Sequence, residues 1–336
     1  MKKLAIIILN WNGEKLLEEF LPMAVRDCIS EESDLIVADN GSTDGSAALV
    51  KEKFPEVKLL EFKENLGFAE GYNQAIAQTN YPYTILLNSD VATTPDFWRP
   101  MLQYMETHAE VGALQPKIRS YRSPEEFEYA GAAGGYLDNL GYPYCRGRIM
   151  DTIEEDKGQY DDGVKDVTWA SGACLMVRTS LYLKLGGLDK DFFAHMEEID
   201  LCCRMIASGY RVVAMSESLV YHVGGASLPQ GNPRKTYLNF RNNLLLLYKN
   251  LPAKEGRRKI FLRRLADTLA FGMFVMKGQF GDAKAMLKAH GDYRKMRKNY
   301  TPAKEGSVSP LEPLSIIWNY YIGGKKKYKD LKTEAK

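Results

Sequence analysis

The 336-residue chain reads as an α/β protein, a Rossmann-like mixed sheet flanked by helices and followed by a helical C-terminal extension. Three observations predict this. The runs LAIIIL (4–9), DLIVA (34–38) and YTILL (83–87) are short, apolar and rich in β-formers, as parallel strands covered on both faces are. Helical stretches separate them, so strand and helix alternate. Each run also stops abruptly at polar residues, and in a parallel sheet those ends share one edge.

The first strand, 4–9, ends in the turn Asn10-Trp11-Asn12-Gly13, which opens a helix. The second, 34–38, ends at Asp39, and the loop 40–46 leads to a helix over 46–53, with Ser42 or Thr43 as its cap. A third strand, 57–62, precedes the loop Lys63-Glu64-Asn65-Leu66-Gly67 and a helix over 68–78. The central strand, 83–87, stops at Asn88-Ser89-Asp90. A helix is expected at 94–108 and a strand at 111–119, then an aperiodic Gly-, Tyr- and acid-rich excursion, 120–165, over the active face. Sheet resumes at 166–170 and 173–178, and Gly186-Gly187 closes a short helix. A helix in the segment 189–204 is closed by Gly209; RVVAM (211–215) is a strand, and a further short strand precedes His222. Helices are expected over 236–249 and 257–276.

Net charge is only +2, but residues 249–336 hold 21 Lys and Arg against 8 Asp and Glu. A basic C-terminal third behind an acidic body points to an anionic surface or a phosphorylated substrate. The division is therefore drawn between a catalytic domain, 1–248, and a basic helical extension, 249–336. In 257–276, five Arg and Lys stand beside Phe261, Leu265, Leu269 and Phe274, as in an interfacial helix; a helix packed on its own domain with a solvated basic side reads the same way. Five cysteines without a C-x-x-C pair indicate neither a zinc site nor a disulfide framework. MKKLAIIIL resembles a leader only briefly and reads as a strand, and no run reaches the ~20 apolar residues of a membrane span. The expected location is the cytoplasm, free or on the inner face of the membrane.

The polar strand ends carry the chemistry. A carboxylate at Asp90 can hold a divalent cation against a diphosphate, though the same residues also suit a strand end with a helix cap. Neither G-x-G-x-x-G nor G-x-x-x-x-G-K-[ST] is present, so a nucleotide would be read by side chains, with Asp39 accepting from a ribose or base. Glu197, Glu198 and Asp200 crowd one turn, which suits a base or a metal as well as an acidic helix start. His222 is a metal-ligand candidate or a structural histidine, and Arg241 a candidate phosphate contact.

These segments resemble the family 2 glycosyltransferases, inverting enzymes with a GT-A fold, and within them the rhamnosyltransferase-like branch. The matching pieces are IIILNWNG (6–13), VADNGSTDGS (37–46), NLGFAEGYNQAI (65–76), LLNSD (86–90), WASGACLMVR (169–178), GGLDKDFFAHMEEIDLCCR (186–204), HVGGAS (222–227) and NFRNN (239–243). The resemblance implies that Asn10, Asn12 and Asp39 contact the base and ribose of a nucleotide-sugar donor, with Asn65, Gly67 and Asn73 lining the same pocket. Asn88, Ser89 and Asp90 stand at the D-x-D metal motif, whose first carboxylate is here the amide Asn88. His222 completes the shell of manganese or magnesium, and Glu198 is the base, with Glu197 and Asp200 as runners-up. Trp169 flanks the donor sugar or acceptor. The implied acceptor is a glycan or lipid-linked hydroxyl in cell-surface polysaccharide synthesis, and the implied donor a dTDP-activated deoxyhexose such as rhamnose, with UDP-hexoses open.

Two other classes use similar parts. A nucleotidyltransferase would need more carboxylates for its cation, and Asn88 argues against it. A non-catalytic sugar-nucleotide-binding module would not need the 197–200 acids. A nucleic-acid partner is not expected, because no groove-reading motif or stacking platform accompanies the basic residues.

Overall fold

The computed structural model describes residues 2–224 and 232–331. The alternating first part is as expected: β1 (Leu4–Asn10), α1 (Glu14–Cys28), β2 (Ser33–Asp39), α2 (Ser46–Lys53), β3 (Lys58–Glu61), α3 (Gly67–Ala77) and β4 (Tyr83–Asn88). β1 pairs in parallel with β2 and β4, and β2 with β3. Alternate residues of β1 enter different cores: Ala5 and Ile7 pack on one face of the sheet, Leu4, Ile6 and Ile8 on the other. This two-sided burial is why these strands are apolar without alternation.

β5 (Val91–Ala92), α4 (Trp98–Thr107) and β6 (Val111–Ser120) follow. The excursion expected to be irregular instead folds into a four-stranded antiparallel sheet of β7 (Gly135–Leu137), β8 (Pro143–Cys145), β9 (Arg148–Ile149) and β10 (Thr152–Ile153). Its strands are two or three residues long, too short to leave a periodic trace. Next come β11 (Val164–Asp166), β12 (Cys174–Arg178), α5 (Thr179–Lys184), α6 (Glu197–Ala207) and β13 (Arg211–His222). The strand expected at 166–170 lies earlier, at Val164–Asp166, and shares only Asp166 with the expected range. The two expected near 211 and 220 are one strand, bulged between Met215 and Leu219, where Ser216 turns out to meet Gly163. The large sheet runs β11-β13-β6-β12-β4-β1-β2-β3, with β12 antiparallel to β4 and β6, and β5 pairs with the end of β13.

Three helices close the chain: α7 (Pro233–Asn250), α8 (Ala253–Met276) and α9 (Phe280–Met296). The sequence reading missed α9, whose inward side is largely small or adaptable (Ala283, Ala285, Met286, Ala289) and gives little apolar signal. The boundary drawn at 248/249 falls inside α7. The last stretch returns to the small sheet, where Ile316 N donates to Asp138 and the hydroxyls of Thr152 and Tyr320 lie 2.7 Å apart.

Trp169 corrects an expectation. It is 2% exposed, its Nε1 donates to Tyr136 O at 3.0 Å, and its backbone pairs with Gly135. A β-carbon on Gly135 would stand 2.0 Å from the indole. The indole thus fills the joint between the two sheets, buried and with its N–H taken by Tyr136, where it was expected to flank the donor sugar or acceptor. Trp169→Ala should cost about 3–5 kcal/mol in urea unfolding, as buried aromatic truncations do; unchanged stability with weakened donor binding would restore the original assignment.

Candidate active site

The register of the parallel strands places the site. Asn10 lies opposite Asp39, and Leu9 opposite Asn88, so the polar ends of β4, β1 and β2 are neighbours. Asn10 Nδ2 donates to Asp39 Oδ1 at 3.0 Å, and Asp39 Oδ2 accepts from Ser42 N at 3.0 Å. Asn12, at φ 49°, holds Thr43 N through its side-chain oxygen at 2.7 Å. Ser42 is not the cap of α2 but receives Asn12 N at 2.9 Å. Asn65 Oδ1 accepts from Gly67 N and from Asn40 Nδ2. Asn40, not singled out from the sequence, is 2% exposed and ties the loop after β2 to the loop after β3.

Asn73 lies elsewhere. Its amide bonds both the N–H and the carbonyl of Leu188, at 2.9 and 2.8 Å, and receives the Tyr182 hydroxyl at 2.7 Å. With its polar atoms occupied in this way, it pins α3 to the loop before α6 rather than lining the donor pocket.

The two-residue β5 brings the next group together. His222 is paired with Val91 across the β13–β5 ladder, and Val223 N donates to Asp90 O at 3.1 Å. His222 Nε2 consequently lies 3.1 Å from Asp90 Oδ1 and 3.4 Å from the Asn88 amide nitrogen. Ser89, partly buried, sits between them in sequence. On the other side of the ring, Nδ1 is 3.4 Å from Glu128 Oε1, without hydrogen-bond alignment. Glu128 was not anticipated, since it lies in the aperiodic stretch. Burial disfavours a charged His222, but Asp90 and Glu128 outweigh it and push its pKa up to about 10. The Asp90 carboxyl, raised by burial, is brought below its ordinary value by the same histidine.

Among the described residues no group of three or more His, Cys, Asp and Glu side chains is arranged to hold a metal ion. Asp90 and His222 would fit one as partial ligands, the carboxylate suiting manganese or magnesium and the imidazole joining once the cation displaced the Nε2 proton that now links the two, with the rest of the shell coming from a donor's phosphates and water. The motif HVGGAS continues into residues 225–227, which lie outside the described residues.

The acids open α6. The segment before it is contorted: Phe193, His195 and Met196 all have positive φ, of 65°, 68° and 76°. Three non-glycine residues in that region are a strain that surrounding contacts must impose. α7 imposes it. Asn242 Nδ2 donates to the carbonyls of Phe192, Ala194 and His195 at 2.9, 2.9 and 2.7 Å, and Arg241 Nη2 to those of Asp191 and Phe192 at 2.8 Å. Arg241 is thus a clamp on this loop, its Nη2 taken up by carbonyls and its Nε by Asn242, which leaves only Nη1, 3.4 Å from the Tyr237 hydroxyl, for the phosphate contact expected of it.

Asp200, fully buried, is also structural. It accepts from Arg204 at 2.8 Å, Lys249 at 3.0 Å and Asn250 at 2.8 Å, and although burial raises its pKa, the two cations hold it below the ordinary value. A committed ion-pair partner is a poor base, so this runner-up falls away. Glu197 and Glu198 differ from it. Each has a buried oxygen with no partner, and burial raises the pKa of both, that of Glu198 to about 7 even with N–H groups of the helix start pulling the other way. Glu197 is 4% exposed; Glu198 is more accessible and lies over Gly172, where a β-carbon would come within 3.7 Å of it. The neighbouring Ala173 O receives Asn88 N at 2.9 Å, so the turn 171–173 separates Glu198 from the Asp90–His222 pair.

Of ten buried side-chain polar atoms without a hydrogen-bond partner among the described residues, five belong to Asn10, His195, Glu197, Glu198 and His222. Such a concentration of unmet demand marks a place where a ligand completes the bonding. His195, three residues before Glu198, was missed by sequence reading; burial chiefly, with Lys235, lowers its pKa to about 4, so it is neutral. The clamp is testable. Asn242→Ala should lose about 1–3 kcal/mol in urea unfolding, the cost of orphaned buried carbonyls. Asn242→Asp should fall further, because it turns acceptors on acceptors.

The profile of Glycosyl transferase family 2 matches residues 5–169. The chain is 28% identical over 237 residues to the N-acetylglucosaminyl-diphospho-decaprenol L-rhamnosyltransferase of Mycobacterium tuberculosis, covering 65% of this chain and 75% of that one. It is 24% identical over 216 residues to the rhamnosyltransferase WbbL of Escherichia coli, covering 62% and 78%. Among solved structures, the fold is similar to Staphylococcus aureus TarS 1-349 in complex with UDP-GlcNAc (TM-score 0.57, 16% identity, covering 87% of this chain and 80% of that one). It is likewise similar to the mannosyltransferase PcManGT of Pyrobaculum calidifontis in complex with GDP-Man and Mn2+ (TM-score 0.55, 14% identity, 89% and 84%). With the mixed sheet and its polar edge, these similarities identify the fold as GT-A; residues 5–169 match the family 2 glycosyltransferases, and the chain is similar to rhamnosyltransferases among them.

Proposed function

We propose that the chain is an inverting transferase moving rhamnose, or a related deoxyhexose, from a nucleotide-diphosphate donor to a hydroxyl of a glycan or lipid-linked acceptor in cell-surface polysaccharide synthesis. The observation that carries this is Glu198: a carboxylate of raised pKa with one oxygen unpartnered, lying over Gly172, whose neighbour Ala173 pairs with Asn88. The similarity to two rhamnosyltransferases supports the sugar, and the decaprenol-linked substrate in the name of one supports a lipid-linked acceptor.

Asp39 and Asn10 hold the nucleoside at the ends of β1 and β2, with Asn12 and Ser42 shaping that loop and Asn65 and Gly67 the next. Asp90 and His222 hold a divalent cation, with Asn88 beside them as a neutral neighbour. When bound, the cation supplies charge to the departing diphosphate. Glu198 takes the proton of the acceptor hydroxyl while that oxygen bonds to the anomeric carbon. The bond from that carbon to the diphosphate breaks on the opposite side, so configuration inverts, and nucleoside diphosphate leaves. Glu198 owes its raised pKa to burial, and Glu197 beside it is raised by burial and by the charge on Glu198.

Donor turnover by the purified chain, screened over dTDP-rhamnose and UDP-hexoses with a lipid-linked acceptor, tests the reading directly. Glu198→Gln should cost on the order of 10²–10⁴ in kcat while leaving donor affinity in calorimetry nearly unchanged. Because the base must be ionised, wild-type kcat/KM should rise with pH up to about 7 and level off above it. A fully active Glu198→Gln enzyme would remove that residue from the role. For the cation, Mn2+ should raise the melting temperature, Asp90→Asn should abolish that rise, and Asn88→Asp, adding a carboxylate beside His222, should enlarge it. An Asp90→Asn variant still stabilised by Mn2+ would place the ion elsewhere.

A further inference from the structure

Helix α8 is built inside out. Its buried positions are Gly256, Ile260, Arg263 and Asp267, at helical spacing, so the inward stripe contains an ion pair, Arg263 Nε to Asp267 Oδ1 at 3.0 Å. That pair is well supplied: Arg263 lies 3.6 Å from the centre of the Tyr142 ring, and Asp267 Oδ2 is 3.0 Å from His290 Nε2. On the opposite side, Phe261, Leu265, Leu269, Met273 and Met276 are between 50 and 81% exposed. Steps of three and four residues keep these five on one face, a stripe about 22 Å long at the α-helical rise. Isolated exposed leucines are ordinary; a continuous apolar stripe on a helix that buries an ion pair on its other side is not.

The charge around the stripe indicates what covers it. Arg257 and Arg264 flank one side and Lys259 and Lys277 the other, with Arg258 at its start; the acids of the helix are Glu255 in the first turn and the buried Asp267. Apolar residues ringed by cations suit a surface of acyl chains beneath anionic headgroups. A second copy of the chain suits it poorly, because a twofold contact would bring the same cations face to face. Among the described residues no helix is long and apolar enough to cross a membrane.

We propose that this face of α8 docks flat on an anionic lipid surface. The inference is independent of the transfer chemistry, because binding is read without any substrate. In co-sedimentation, the full chain should bind phosphatidylcholine vesicles containing phosphatidylglycerol on the order of tenfold or more tighter than vesicles of phosphatidylcholine alone, and less tightly as salt is added. Leu265→Glu with Leu269→Glu should abolish that binding with the melting temperature unchanged, and the milder Leu269→Ser should weaken it. Arg257→Glu with Arg258→Glu should remove the preference for the anionic vesicles. Failure of the wild type to sediment with them, undiminished binding by the leucine variants, or a dimer in light scattering that Leu269→Glu dissociates would each overturn the proposal.

Discussion

The hold of α7 on the carbonyls of residues 191–195 is the contact on which the site depends. Without it, three non-glycine residues would not stay at positive φ, and α6 would not start where it does. Arg241 and Asn242 grip the loop, and about two turns later Lys249 and Asn250 grip Asp200 within α6. The same helix thus fixes both sides of Glu197 and Glu198. The energy spent in burying two unpaired carboxylate oxygens is offset by this scaffold, and a raised pKa is the chemical return.

The other half of the site is organised by the sheet edge. Parallel register sets Asn10, Asp39 and Asn88 side by side, while the cation pair needs two less regular devices: the bulge in β13 and the two-residue β5. The bulge accommodates extra residues so that the strand still reaches Val91 with His222 facing Asp90. Each half is built separately, and the turn 171–173 is their common wall. Gly172 leaves that wall thin enough for Glu198 to lie over it.

The segment joining the two halves, with its small sheet, contributes Glu128 to the histidine and the Trp169 joint to the core. The C-terminal stretch covers the small sheet in turn, with Ile316, Tyr320 and Tyr328 bonded to Asp138, Thr152 and Glu154. Along α8 the Arg263–Asp267 ion pair lies inside and a stripe of apolar side chains outside, whereas β1 to β4 bury their apolar side chains.

Local pattern was sufficient for the parallel layer, because continuous β-branched runs buried on both sides have few other interpretations. It also sufficed for the polar strand ends, since parallel pairing leaves them one edge to share, and for the GT-A resemblance of the motifs. It could not separate ligand from scaffold among identical side chains. Asn73, Trp169, Asp200 and Arg241 look like site residues in sequence, and each proves to be committed to a neighbour distant in the chain. Glu128, His195 and Asn40 gave no local signal, because their positions follow from bulges, short strands and loop closures. The residues by themselves determined the layer, the edge and the kinds of group that meet there. Which of those groups remain unpartnered was decided by tertiary contacts alone, because hydrogen-bond satisfaction is a property of the neighbours and not of the residue.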